Sequence, residues 1–216
     1  DMVRYRLAQL TLKENREKAA ELRIKLEREI EGSNNKPPPR AARQLALKTI
    51  AEEAPKLFQY HFVARLQGAI LLAHLSEFNE TEAEGTKKPA IPCTRATEPL
   101  IELVNDRQQL TAVRVWGVNG LVRLATLDTI NSQLRNRLVD LLVEQMKASA
   151  TEHEWYQLRL AEGLGKLTVI QGELDTFYLD GATRLLKESL ARLQSDAVVE
   201  LVPGKNHFDL LTPELM

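Results

Sequence analysis

The chain has 216 residues, 44% of them apolar, 27% charged and only 5% aromatic, with a formal net charge of -1. Its 29 basic and 30 acidic residues balance, which excludes the broad basic footprint of a nucleic-acid binder or of a protein held on an anionic membrane. Cys93 is the only cysteine, so an intrachain disulfide is excluded, and no apolar run approaches the roughly twenty residues that span a bilayer.

The first residues, Asp1-Met2-Val3-Arg4-Tyr5-Arg6, lack the apolar core of a signal peptide. Without an initiator methionine at position 1, the chain is expected to be a processed form or a piece of a longer protein. The absence of disulfides and of a leader points to the cytoplasm. A charged helix is predicted over residues 3 to 31, with Leu22, Leu26 and Ile30 four apart on one face. Gly32 and the Pro37-Pro38-Pro39 run then break it, making 32 to 40 a stiff linker.

Helical periodicity resumes at Ala41 and breaks near Pro55, and a second helix runs from about 58 to 76. Residues 79 to 92, with Gly85, Pro89 and Pro92, read as a long polar loop. A short helix follows from Pro99 to Asp106, with proline near its start where a missing donor costs nothing. Further helices are predicted over 111 to 124, 130 to 148 and 152 to 167. Three of these stretches superimpose in register. Arg65-Leu66-Gln67-Gly68, Arg114-Val115-Trp116-Gly117 and Gln157-Leu158-Arg159-Leu160 are each followed by leucines at the same offsets, at 72 and 75, 121 and 124, 164 and 167. The recurrence, roughly forty to fifty residues, is that of two-helix units that cannot bury an apolar face alone.

With proline at the head of a first helix, Asp106 at its end, Val113-Arg114 opening the second helix and the ending Glu162-Gly163-Leu164-Gly165-Lys166-Leu167, residues 41 to 167 resemble the HEAT-repeat family of helical solenoids. Gln157 departs from the pattern by standing where arginine is usual. The resemblance implies a mostly α fold, a HEAT-like α-solenoid of helix pairs, and protein-protein interaction or scaffolding as the function. In such arrays second helices line the binding face, which implies Arg65, Trp116, Arg123 and Arg159 as surface residues toward a protein partner. Within that resemblance, Trp116 and Trp155 are expected to be buried between repeats, and Arg65, Arg114 and Arg159 to pair inside the stack, the alternative being a basic ridge toward an acidic partner.

After Leu167 the pattern changes. Leu167-Thr168-Val169-Ile170, closed by Gly172, reads as a strand; Tyr178 to Leu193 as a helix; and Ala197 to Val202 as a second strand stopped by Pro203-Gly204. Strand, helix, strand is a βαβ unit, a small appendage on the helical array. Asp175 follows the first strand and His207 the second. Residues 168 to 213 resemble the C-terminal segment of an esterase-type α/β-hydrolase, which implies Asp175 as the acid and His207 as the general base of a triad. No GxSxG nucleophile elbow occurs in the chain, so a complete serine hydrolase is not expected. The alternative to scaffolding is then a fragment of, or accessory to, such a hydrolase, with the nucleophile supplied from elsewhere.

His61, His74, His153 and Cys93 are too scattered in sequence to suggest a metal site. Gly163-Leu164-Gly165-Lys166 lacks the upstream glycine and the preceding strand of a phosphate loop, and its glycines read as close helix-helix contacts. No cofactor and no small-molecule substrate are expected.

Overall fold

The computed structural model of the chain describes residues 2–32, 38–78, 81–83, 86–88, 90–125, 130, 132–149, 152–167, 170–172, 180–192 and 200–202. These residues are mostly helical, and the chain divides into two compact units, Asp1–Leu127 and Asp128–Met216.

In the first unit the charged N-terminal stretch is two helices, not one. Helix α1 (Met2–Thr11) ends where Leu12 turns extended, at φ -76° and ψ 131°. A 3₁₀ segment, Lys13–Lys18, leads into α2 (Ala19–Glu31). Asn15 fastens the corner by donating from Nδ2 to the Gln9 carbonyl at 2.9 Å. Gly32 ends α2 in the left-handed region, at φ 73°, a conformation that costs glycine nothing and other residues much more. Leu26 and Ile30 are buried as their spacing predicts, and α2 packs on α4 (Phe62–His74).

Helix α3 (Arg40–Glu53) stops one residue before the Ala54–Gln59 3₁₀ turn that contains Pro55. The His61 imidazole caps α4, its Nδ1 accepting from the Ala64 amide at 3.3 Å. Helices α5 (Thr97–Asn105) and α6 (Thr111–Ala125) form the next pair, and α4 and α6 pack side by side. Gly120 makes that packing possible, and Gly117 does the same for the contact of α6 with α5. A Cβ on Gly120 would lie 2.7 Å from Leu100 Cδ1 and 2.9 Å from Ala73 Cα, and one on Gly117 would lie 2.7 Å from Val104 Cγ2. Leu47, Ile50, Leu71, Leu72, Leu100, Leu103, Leu121 and Leu124 fill the core between these helices.

The stretch read as a long loop, 79 to 92, contains three short strands, and a fourth immediately precedes it where the helix ends at His74. β1 (Ser76–Phe78) pairs antiparallel with β4 (Ile91–Pro92), and β2 (Thr81–Ala83) pairs antiparallel with β3 (Thr86–Lys88). The inner register sets Glu82 opposite Lys87. Prolines and a glycine masked the strands in the sequence because each strand is only two or three residues long.

The second unit holds α7 (Ser132–Ala148), α8 (Glu154–Leu167) and α9 (Asp180–Arg192) around Leu138, Leu142, Tyr156, Leu160, Leu164, Leu186 and Leu190. β5 (Ile170–Gly172) and β6 (Glu200–Val202) pair in parallel, with α9 between them in the chain. This is the expected strand-helix-strand order, although the first strand lies later than its apolar run predicts and includes Gly172 itself.

Candidate functional site

The side chains at the three aligned positions each donate to a backbone carbonyl. Arg65 on α4 donates from Nε to the Tyr60 carbonyl at 2.6 Å. Arg114, at the same place on α6, donates from Nε to the Val104 carbonyl at 3.1 Å, and its side chain is buried. Gln157, at the same place on α8, is also buried and donates from Nε2 to the Ser149 carbonyl at 2.7 Å. Arg114 reaches a carbonyl in the last turn of α5, Arg65 one in the corner before its own helix, and Gln157 that of Ser149, which also accepts from the Glu152 amide at 2.9 Å. Gln157 thus does by amide what arginine does in the other two pairs, and Arg192 in turn donates to its Oε1 at 3.3 Å. The leucines at the shared offsets behave alike: Leu72, Leu75, Leu121, Leu124 and Leu164 are all buried.

Of the four surface residues, Trp116 is half-buried and stacks edge-on against His74, with ring centroids 5.4 Å apart at 84°. Arg123 is engaged within the fold. Its Nη1 donates to the Ala73 and Leu75 carbonyls at 3.2 and 3.4 Å, and its Nη2 to Ser76 Oγ at 2.7 Å. It therefore closes the C-terminal end of α4, and burial lowers its pKa. Arg65 is partly exposed beyond its bond to Tyr60. Arg159, in the second unit, is exposed and pairs with Glu162 one helical turn on. Trp155 differs from expectation: it is exposed and stacks on His153, with centroids 6.1 Å apart and planes 19° apart. Gly165 differs too, since a Cβ there would meet nothing within 4 Å; it makes no close helix contact. Asp175 and His207 lie outside the described residues.

Sequence reasoning missed a cleft of about 150 Å³ beside Trp116, formed by α2, α3 and the end of α4. Ile30, Leu47, Leu71 and Leu75 make its apolar wall, while Glu27, Glu31, Arg43, His74 and Ser76 supply polar groups. Arg43 is fixed at this place by donating to the carbonyls of Ile30, Ser76 and Glu77 at 3.2, 3.0 and 3.1 Å. Glu27 accepts from Arg23 through both carboxylate oxygens at 2.6 Å, and Arg23 reaches Gln67 Oε1 at 2.8 Å. The imidazole of His74 keeps an exposed edge, but its surroundings desolvate it and lower its pKa; Arg23 and Arg123 push the same way and Glu27 opposes them. The only signal in the sequence is spacing: Glu27 and Glu31, one turn apart, share a face of α2.

Neither Ser76 nor Cys93 is set up here as a nucleophile. Ser76 Oγ donates to the backbone carbonyl of His74 at 2.9 Å while accepting from Arg123, so the imidazole does not hold its proton. Burial raises the pKa of the Cys93 thiol, which keeps it protonated and weakly nucleophilic. Among the described residues no cluster of His, Cys, Asp or Glu could hold a metal ion, and no helix is long and apolar enough to cross a membrane. Comparison with family models, with curated proteins and with solved structures finds no match to the chain.

Proposed function

We propose that the helix pairs form a HEAT-like solenoid and that the chain is a protein-interaction or scaffolding module. The observation that supports this reading is that the aligned residues Arg65, Arg114 and Gln157 each donate to a backbone carbonyl that precedes them in the chain. Units built this way stack through their apolar faces and leave their second helices to a partner. In the first unit the proposed binding residues are Trp116 with the adjoining cleft, Arg65 and Arg123; in the second unit the proposed residue is Arg159. Trp116 is the natural anchor, being aromatic, half-buried and held by His74. The test is quantitative capture of a partner by the intact chain and by Trp116→Ala. Arg123→Glu does not serve, because it would break the closure of α4 and report on folding.

A second reading is favoured by the parallel pairing of β5 and β6 across α9. On this reading residues 168 to 216 are a piece of an α/β-hydrolase, with Asp175 and His207 as acid and base for a nucleophile from another chain. Hydrolysis of a short-chain p-nitrophenyl ester that is lost in His207→Ala would support it. A rate no greater than buffer would end it.

A further inference from the structure

The corners that lead into the second helices carry large apolar side chains in the open. Tyr60 and Phe62 flank the start of α4 with 47% and 42% of their surfaces exposed, and Leu110 stands 55% exposed just before α6. In the second unit the first turn of α8 carries Trp155, 42% exposed. Three helix pairs thus share the feature, although a corner of a soluble fold is ordinarily polar.

In the first unit the two corners are joined. Gln109 Nε2 donates to the Phe58 carbonyl at 3.1 Å and to Asp106 Oδ2 at 3.0 Å, which sets the Leu110 corner beside the Tyr60 corner. The charges on this edge are lopsided. Arg107 is exposed and has no acidic partner among the described residues, and Arg65 uses only its Nε, on the Tyr60 carbonyl. Of the acids on these corners, Glu53 is paired with Arg4 and Lys56, while Asp106 accepts from the Gln108 amide and from Gln109 and keeps its charge, one carboxylate against two arginines. The edge is therefore an apolar ridge flanked by two free guanidinium faces.

We propose that this ridge of Tyr60, Phe62 and Leu110, bordered by Arg65 and Arg107, docks a partner segment in which apolar side chains alternate with carboxylates. The inference rests on the scaffolding reading and gives the partner a chemistry. Aromatic and leucine side chains of the segment cover the ridge, and its carboxylates meet the two arginines, which favour planar bidentate acceptors. Steering by these charges makes the association depend on ionic strength.

The test is fluorescence anisotropy of the full chain with a fluorescein-labelled synthetic peptide that alternates glutamate with leucine and phenylalanine. Two control peptides replace glutamate by lysine, or the apolar residues by serine. The acidic apolar peptide should bind, and both controls should bind at least about tenfold more weakly, a difference of about 1.4 kcal/mol. Leu110→Ser should weaken binding by about tenfold or more, and Arg107→Gln should weaken it and flatten its salt dependence. Both positions are exposed, so circular dichroism and melting should be unchanged. Equal binding of the lysine peptide, or unchanged binding by both variants, overturns the proposal. If the acidic peptide fails to bind while Trp116→Ala still abolishes capture of a partner protein, the ridge is wrong and the scaffolding reading stands. If the peptide binds as expected while capture is indifferent to Trp116→Ala, the ridge stands and the helical face is wrong.

Discussion

Arg114 and Arg159 show how little a residue type says about its work. Arg114 is buried with its Nε on the Val104 carbonyl, whereas Arg159 is exposed beside Glu162. Arg114→Ala should lower unfolding stability in urea by about 2–3 kcal/mol, because it leaves a buried carbonyl unmet. Arg159→Ala should change it by less than about 0.5 kcal/mol, since an exposed i,i+3 pair is worth little. Equal losses would remove the distinction between structural and surface arginines. His74 gives a second test at this scale. Desolvation lowers its folded-state pKa below the value near 6.5 of an unfolded chain. The sign follows: its contribution is intact above about pH 6.5 and is lost as pH falls from there through the folded value, because the unfolded chain then binds the proton first. An NMR titration of the His74 ring should show a depressed midpoint, and Trp116→Ala should move that midpoint upward by exposing the imidazole. A midpoint at or above the ordinary value would contradict the packing around it.

Among the elements, the α4–α6 contact depends on glycine in a way that α8 does not. Gly120→Ala would push a methyl against Leu100 and the Ala73 backbone, and should cost about 1–3 kcal/mol by urea denaturation. Gly165→Ala meets open space in the last turn of α8 and should stabilise by up to about 0.5–1 kcal/mol. The opposite order would mean that α4 and α6 are not in close contact. Much of this level was legible in the sequence. Periodicity placed α3 to α9, because leucines at fixed offsets are the residues that the core takes up. The break inside residues 3 to 31 was not legible, since Leu12 is no turn residue and its extended backbone comes from the corner around Asn15. Nor were the strands between Ser76 and Pro92, which are shorter than any periodicity can register. The cleft escaped notice because Glu27, Arg43 and His74 come from three helices, and only their packing brings them together. Trp155 was misjudged because its offset from Gln157 points it away from the core, whereas Trp116 lies two residues on the other side of the aligned position.

At the scale of the whole chain, each compact unit has its own apolar core, and each contains at least one helix pair fastened by the same kind of side-chain-to-carbonyl bond. The third pair, α7 and α8, groups with α9 and the parallel strands in the second unit. On the proposed reading such a construction offers surface rather than chemistry. The half-buried Trp116 beside its cleft and the open corners are the places where a partner gains most by excluding water. The decisive measurement is capture by the immobilised full chain, by Trp116→Ala and by Leu110→Ser, with bound proteins quantified and folding of each variant verified by circular dichroism. The account predicts a protein retained at near-stoichiometric level by the intact chain and depleted about tenfold or more by Trp116→Ala. The same protein held equally by all three forms, or no protein held while the purified chain hydrolyses p-nitrophenyl esters, would contradict it.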